Sequence, residues 1–292
     1  MMRLSEPQYS FEQTIDECIL GITGNDSLRQ KLITSKESLT DAGIKYTSAI
    51  DTGELYTILP VNTNENNDPV VINTLKKNEL VKAYDQYFRP RKKPARKIYD
   101  ALLNAALDKC PFCGGIGTPR NLDHFLPKAH YPQFSVLPHN LVPSCRDCNM
   151  DGKAENFAKN AEEQIIQPYS DNERFFIEQW VFAKYIASSD GEPGEFEYHT
   201  SPPEGWSEVD KQRVQKHFDD FNLAKRYATK AAEQLGTVLS QINSMEQENI
   251  DISVIQSVLL QPGIDAAQFP NHWQKGMYQA LIQHYIDSQR HE

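Results

Sequence analysis

Apolar residues return at helical spacing near the start of the chain. Phe11, Ile15, Cys18, Ile19 and Ile22 mark one face of a helix. Gly24-Asn25-Asp26 breaks that run, and a second helix is expected to Leu39. From Ile44 to Leu59 the pattern is mixed. Tyr46, Ile50, Leu55, Tyr56, Ile58 and Leu59 lean towards strand around a turn at Asp51-Thr52-Gly53. Asn62 to Pro69 is polar and reads as an exposed loop. Ile98, Leu102, Leu103, Ala106 and Leu107 predict an amphipathic helix that leads into the first cysteine pair. Ala154 to Lys159 are expected to finish a helix that follows the last cysteine pair, and Ile165 to Tyr169 is a short apolar stretch. The large apolar residues of Phe175 to Ile186 fit a strand or a helix equally well. Ser188 to Glu195 is a polar turn region, and Phe196-Glu197-Tyr198 suggests a strand. Glu208 to Leu235 predicts a helix or helix pair, with Val214, Phe218, Phe221, Leu223 and Tyr227 as its apolar positions. Val238 to Met245, Val254 to Leu260 and Trp273 to Ile286 are also helix-like, separated by Pro262-Gly263 and Pro270. No internal repeat is found. The pattern predicts an α+β chain that is mostly helical.

Charge divides this picture further. The chain has 292 residues and a formal net charge of -10, the mark of a globular protein of one or two domains. No apolar run reaches the length of a membrane span, and Met1 to Ser10 lacks the pattern of a signal peptide, so a cytoplasmic setting and no membrane partner are expected. Asn73 to Lys109 runs against the acidic balance. Its densest part is Arg89-Pro90-Arg91-Lys92-Lys93-Pro94-Ala95-Arg96-Lys97. Arg91, Lys92, Lys93, Arg96 and Lys97 are candidates to hold a phosphate backbone. The plainer alternative is a solvated helix face or loop. Four regions follow: a helical or mixed one at 1–75, a basic lead-in at 76–109, a chemical module at 110–160, and a mostly helical one at 161–292.

The module holds Cys110-Pro111-Phe112-Cys113 at one end and Cys145-Arg146-Asp147-Cys148 at the other. Two C-x-x-C pairs form the spacing of a four-thiolate zinc site. Gly114, Gly115 and Gly117 suit the sharp turn after the first knuckle. Two disulfides would need an oxidising compartment, and a redox C-x-x-C would not explain two pairs. Four thiolates leave no position open for substrate, so this zinc would be structural. Cys18 is left over and reads as a small buried apolar residue. Between the knuckles lie Leu122-Asp123-His124-Phe125-Leu126-Pro127-Lys128 and His139-Asn140-Leu141-Val142-Pro143, and Asn149 follows the last cysteine. If Leu122 to Phe125 is extended, Asp123 and His124 point to opposite faces, and one can bind a metal while the other contacts a water.

Asp-His-Phe-Leu-Pro-Lys, Asn-Leu-Val-Pro and Cys-Arg-Asp-Cys-Asn, in that order and spacing, resemble the HNH endonucleases. Their ββα-metal motif is a hairpin, a loop and a helix around one divalent ion, and many members carry two zinc knuckles. The likeness covers about Cys110 to Lys153. Ile165 to Tyr169 is similar to the segment after the nuclease module in several defence-associated members, such as the HNH subunit of Septu-type systems. The resemblance implies a general base at His124, and divalent-ion ligands at Asp123 and Asn149. It implies a loop-orienting role for Asn140, and products with a 5′-phosphate and a 3′-hydroxyl. Carboxylate and amide oxygens are hard donors that suit Mg²⁺ or Mn²⁺. Plainer roles exist, a helix N-cap for Asn149 and a turn for Asn140. Lys128 joins the basic run as a nucleic-acid contact. The family often has Asn-x-x-Lys, but this chain reads Asn149-Met150-Asp151-Gly152-Lys153, so no phosphate contact carries over to Lys153.

The expectation is therefore a metal-dependent endonuclease of nucleic acid, DNA before RNA, with a role in defence against phage. A double-strand break would need a homodimer or two encounters. Two rivals stand beside it. One is a zinc-dependent module that holds nucleic acid without cutting. The other is an effector that works only beside a partner, often an ATPase in systems resembling Septu. His217, His272 and His284 sit in or beside helices and receive no catalytic role.

Overall fold

A computed structural model describes residues 1–188 and 194–289. The chain is α+β and mostly helical, and among the described residues every sheet is a two-stranded antiparallel ribbon. It divides into two compact units, Arg3–Asn172, and Glu173–Glu292 with Met1–Met2. The division falls beyond residue 160, so 161–172 belong with the cysteine-bearing unit. Tyr169 donates its hydroxyl to the Leu141 carbonyl at 2.9 Å, and the Gln167 amide donates to the His139 carbonyl at 2.8 Å.

In the first unit, α1 (Phe11–Gly21) starts at a Ser10 N-cap whose side chain accepts from Gln13, and α2 (Asp26–Asp51) packs against it. The strand-like reading of Ile44 onward is corrected, since the residues to Asp51 continue α2. Its buried positions Leu28, Leu32, Ser35, Leu39, Gly43, Tyr46 and Ile50 keep one helical stripe. Burial of that stripe overrides the β preference of Tyr46 and Ile50. A Cβ on Gly43 would lie 2.6 Å from Phe11 Cδ1, so only glycine permits this helix contact. After β1 (Val70–Ile72) and β2 (Leu75–Lys76), α3 (Lys77–Lys82) widens into a π-type turn at Ala83–Phe88. Next, α4 (Arg96–Asn104) packs on both strands of a short hairpin, β3 (Asn121–His124) and β4 (Leu141–Ser144). Asn121 pairs with Ser144 and His124 with Leu141, so one end of the hairpin opens next to Cys145.

The helix after the last knuckle covers only Asp147–Lys153. The expectation that it runs on through Ala154 to Lys159 is corrected. Ala154 turns left-handed at φ 47° and donates its N–H back to the Asn149 carbonyl at 2.9 Å, which closes the helix.

In the second unit, α5 (Arg174–Ile177) precedes β5 (Val181–Ile186), so the ambiguous stretch holds a helical turn and then a strand. The polar turn expected at Ser188 to Glu195 falls mostly outside the described residues. β6 (Glu195–Thr200) pairs with β5. α6 (Glu208–Asp220) and α7 (Leu223–Gln247) are the expected helix pair, split at Asn222 with φ 49°. The segment Val238 to Met245 continues α7 and is not a separate helix. α8 (Ile252–Ile255), α9 (Gln261–Asp265) and α10 (Trp273–Gln289) complete the unit, with α10 against β5 and α7 against β6.

One buried amide joins these pieces. Asn271 accepts from the backbone N–H groups of Trp180 and Val181 at 2.7 and 3.0 Å, and donates to the carbonyls of Phe175 and Glu178. Asn271→Ala leaves four backbone groups unpaired and should cost at least about 3 kcal/mol in urea unfolding. Asn271→Asp should not restore the loss, because its second oxygen would face two carbonyls.

Candidate metal and catalytic centre

Cys110, Cys113, Cys145 and Cys148 are buried and unbridged, and their sulfur atoms lie within 4.8 Å of one another. A tetrahedron of sulfurs about 2.3 Å from one ion has edges near ~3.8 Å, so a small contraction would close it. The first knuckle turns as its glycines allow, with Gly114 at φ 61° and Gly115 at φ 84°. Gly115 donates to the Cys110 carbonyl at 2.9 Å, and the Gly117 N–H points at Cys113 Sγ at 3.3 Å. Burial pushes the Cys110 thiol up, and a cation at the centre of the cluster would oppose that rise. These four residues can hold a metal such as zinc. Cys18 lies apart, fully buried, and burial likewise raises its thiol.

The knuckles sit just outside the two strands, and the predicted chemical residues lie on β3. His124 Nε2 is 2.9 Å from the Ser135 carbonyl. A carbonyl only accepts, so Nε2 carries the hydrogen and Nδ1 keeps its lone pair. Burial pulls the imidazole down to about 3, against the raising effect of the Ser135 carbonyl. The ring is therefore neutral at physiological pH. The Tyr84 ring meets it edge-on at 4.4 Å.

Asp123 takes the other direction, as strand alternation requires. Burial pushes its carboxyl up to about 6, and the nearby Lys153 ammonium opposes that rise. Its Oδ2 is buried without a hydrogen-bond partner and lies 3.7 Å from Lys153 Nζ. Lys153 is itself buried and donates to the His124 carbonyl at 2.6 Å. Lys153, to which the sequence pattern assigns no role, thus ties the knuckle helix to β3 between the two candidate chemical residues. The signal was only a lysine four positions after an asparagine.

Asn149 is half-buried and its amide reaches the Asn121 side chain at 3.4 Å. Asn121 and Asp123 share a face of β3, so the helix carrying Asn149 and Lys153 lies along that face. Asn140 is fully buried. Its Oδ1 accepts from the Tyr46 hydroxyl at 2.9 Å and the Leu126 N–H at 2.7 Å, and its Nδ2 donates to the Leu126 and Phe134 carbonyls. It pins the loop after β3 at both ends.

The basic run is largely engaged within the chain. Lys93 donates to the Gly21 carbonyl at 2.8 Å. Arg96 pairs with Asp100 at 2.8 Å, and Lys97 with Glu17 at 2.7 Å. Lys128 pairs with Asp85 at 2.7 Å and lies over the Tyr84 ring. Arg91 and Lys92 are exposed. His217 sits between the rings of Trp180 and Phe221, and the ring of His284 lies against Tyr185. Among the described residues, the four cysteines form the one cluster of His, Cys, Asp and Glu side chains close enough to hold a metal.

Across 96% of its length this chain is 38% identical to protein ea31 of Escherichia phage lambda, and the match covers 97% of that protein. The chain belongs to the ea31 family. The match takes in both compact units. No family model matches the chain. No solved structure matches it either.

Two outcomes are expected. Purified protein should carry one metal ion per chain by elemental analysis, lost in Cys148→Ala and kept in Cys18→Ala. Lys153→Met should destabilise the fold by about 3–5 kcal/mol, because it strands a buried carboxylate. Adding Asp123→Asn to that variant should recover part of the loss in a double-mutant cycle.

Proposed function

We propose that this chain is a metal-dependent endonuclease of the HNH type, acting on nucleic acid and on DNA before RNA. The observation that carries the reading is His124, held by the Ser135 carbonyl so that Nδ1 is free, next in sequence to a buried Asp123 oxygen without a hydrogen-bond partner. Such an orphaned carboxylate oxygen fits a cation ligand. In this reading β3, β4 and the knuckle helix are the ββα-metal module, and the four cysteines carry structural zinc.

His124 Nδ1 takes a proton from a water whose oxygen attacks the phosphorus. The P–O3′ bond breaks, the departing oxygen gains a proton from solvent, and a 5′-phosphate remains. Asp123 and Asn149 would hold Mg²⁺ or Mn²⁺, which when bound supplies Lewis-acid stabilisation of the phosphoryl and leaving oxygens. Asn140 keeps the loop that contains Ser135 in place, and so keeps the tautomer of His124. A cytoplasmic setting suits unbridged thiols, and a role in phage defence follows from the resemblance to Septu-type subunits.

One observation favours a second reading. The Lys153 ammonium already stands 3.7 Å from Asp123 Oδ2, as it would in a non-cutting module that only binds nucleic acid. A partner requirement, such as an ATPase or a second copy of the chain, has its support in residues 173–292. They hold 18 acidic against 10 basic side chains, a poor surface for phosphate.

Supercoiled plasmid incubated with Mg²⁺ or Mn²⁺ separates these readings. The wild type should nick it, and His124→Ala should be slower by at least about 100-fold with its metal content intact. Equal cutting by both proteins would remove His124 from the reaction. No cutting by either would leave the binding module or the partner-dependent effector.

A further inference from the structure

The side chains predicted to meet phosphate are largely occupied. Lys93, Arg96, Lys97 and Lys128 each have a carbonyl or carboxylate within 2.8 Å. A backbone-binding protein needs cations that are free to exchange counterions for phosphates. The hairpin itself offers two that the sequence pattern did not single out.

Arg120 stands one residue before β3 and donates its N–H to the Ser144 carbonyl at 3.1 Å, which extends the ladder towards the open end of the hairpin. Arg146 lies two residues beyond Ser144, at the start of the knuckle helix. Both are exposed, and neither side chain has an ion pair or hydrogen bond among the described residues. Asn121 and Asn149, bonded to each other, stand next to them on the same strand and helix. The opposite end is closed, since Leu126, Phe134 and Leu137 are buried and the loop is pinned by Asn140. The polar rim at the open end of the β3–β4 hairpin therefore includes exposed Arg120, Asn121, Arg146 and Asp147 and half-buried Asn149.

We propose that Arg120 and Arg146 are the phosphate-positioning residues of this site, holding nucleic-acid backbone across the open end of the hairpin beside Asn121 and Asn149. The proposal rests on the nuclease reading and names the surface that receives its substrate. Two fixed arginines at the rim orient a polyanion without reading its sequence.

The test uses the full-length His124→Ala protein, which should bind without cutting, and a fluorescein-labelled DNA duplex. Anisotropy titrations are run over a series of salt concentrations without added divalent ion. Arg120→Gln/Arg146→Gln should bind at least about tenfold more weakly, and the slope of log K against log salt should fall by about 2. Each single variant should lower the slope by about 0.9. Arg29→Gln/Lys45→Gln, an equal loss of charge on an exposed part of α2, should leave the slope unchanged. Metal content and circular dichroism confirm that each variant is folded. If the arginine pair behaves like the α2 pair while the parent binds, the proposal is overturned and the nuclease reading stands. If the parent binds no duplex at low salt, the nucleic-acid reading falls and the proposal falls with it.

Discussion

Two four-residue strands do not hold together in water, yet the candidate site is built on such a pair. What makes the hairpin possible is the gathering of four cysteine sulfurs at its open end. Cys110 and Cys113 lie ahead of β3, and Cys145 follows β4 directly, so one ion would close the ribbon where the backbone ladder stops. The face packed by α4 and the Asn140 clasp secure the rest.

Buried polar groups set the geometry around it. Asn140 in one unit and Asn271 in the other make the same kind of contact, an amide whose acceptor and donor sides are both satisfied by backbone. Such bonds add modest net stability, but leaving them unmade is expensive, so they favour one arrangement over its neighbours. Lys153 acts in the same way with charge. Its ammonium meets the His124 carbonyl and stands close to Asp123, which fixes helix to strand in a buried place.

The distribution of charge gives the two units different characters. Residues 173–292 hold most of the net negative charge, whereas the cysteine-bearing unit is nearly balanced and has two exposed arginines, Arg120 and Arg146, beside the hairpin. The match to ea31 spans both units.

The cysteine spacing, the helical stripes and the break at Gly24-Asn25-Asp26 were legible in the sequence, because each depends on neighbours a few residues away. Metal-ligand spacing and amphipathic period are local properties. Where the reading failed, distant contacts had intervened. The end of α2 is helical because its apolar stripe is buried, whatever the β preference of Ile50. The knuckle helix stops at Lys153 because Ala154 turns left-handed while Lys153 bonds a strand 29 positions away. The basic run looked like a phosphate surface, but the tertiary structure spends Lys97 on Glu17 and Lys128 on Asp85. Sequence alone determined which residues could carry metal and chemistry, since that follows from donor type and spacing. Only the tertiary structure decided which way His124 presents its lone pair and which cations remain free, since both depend on partners far away in the chain.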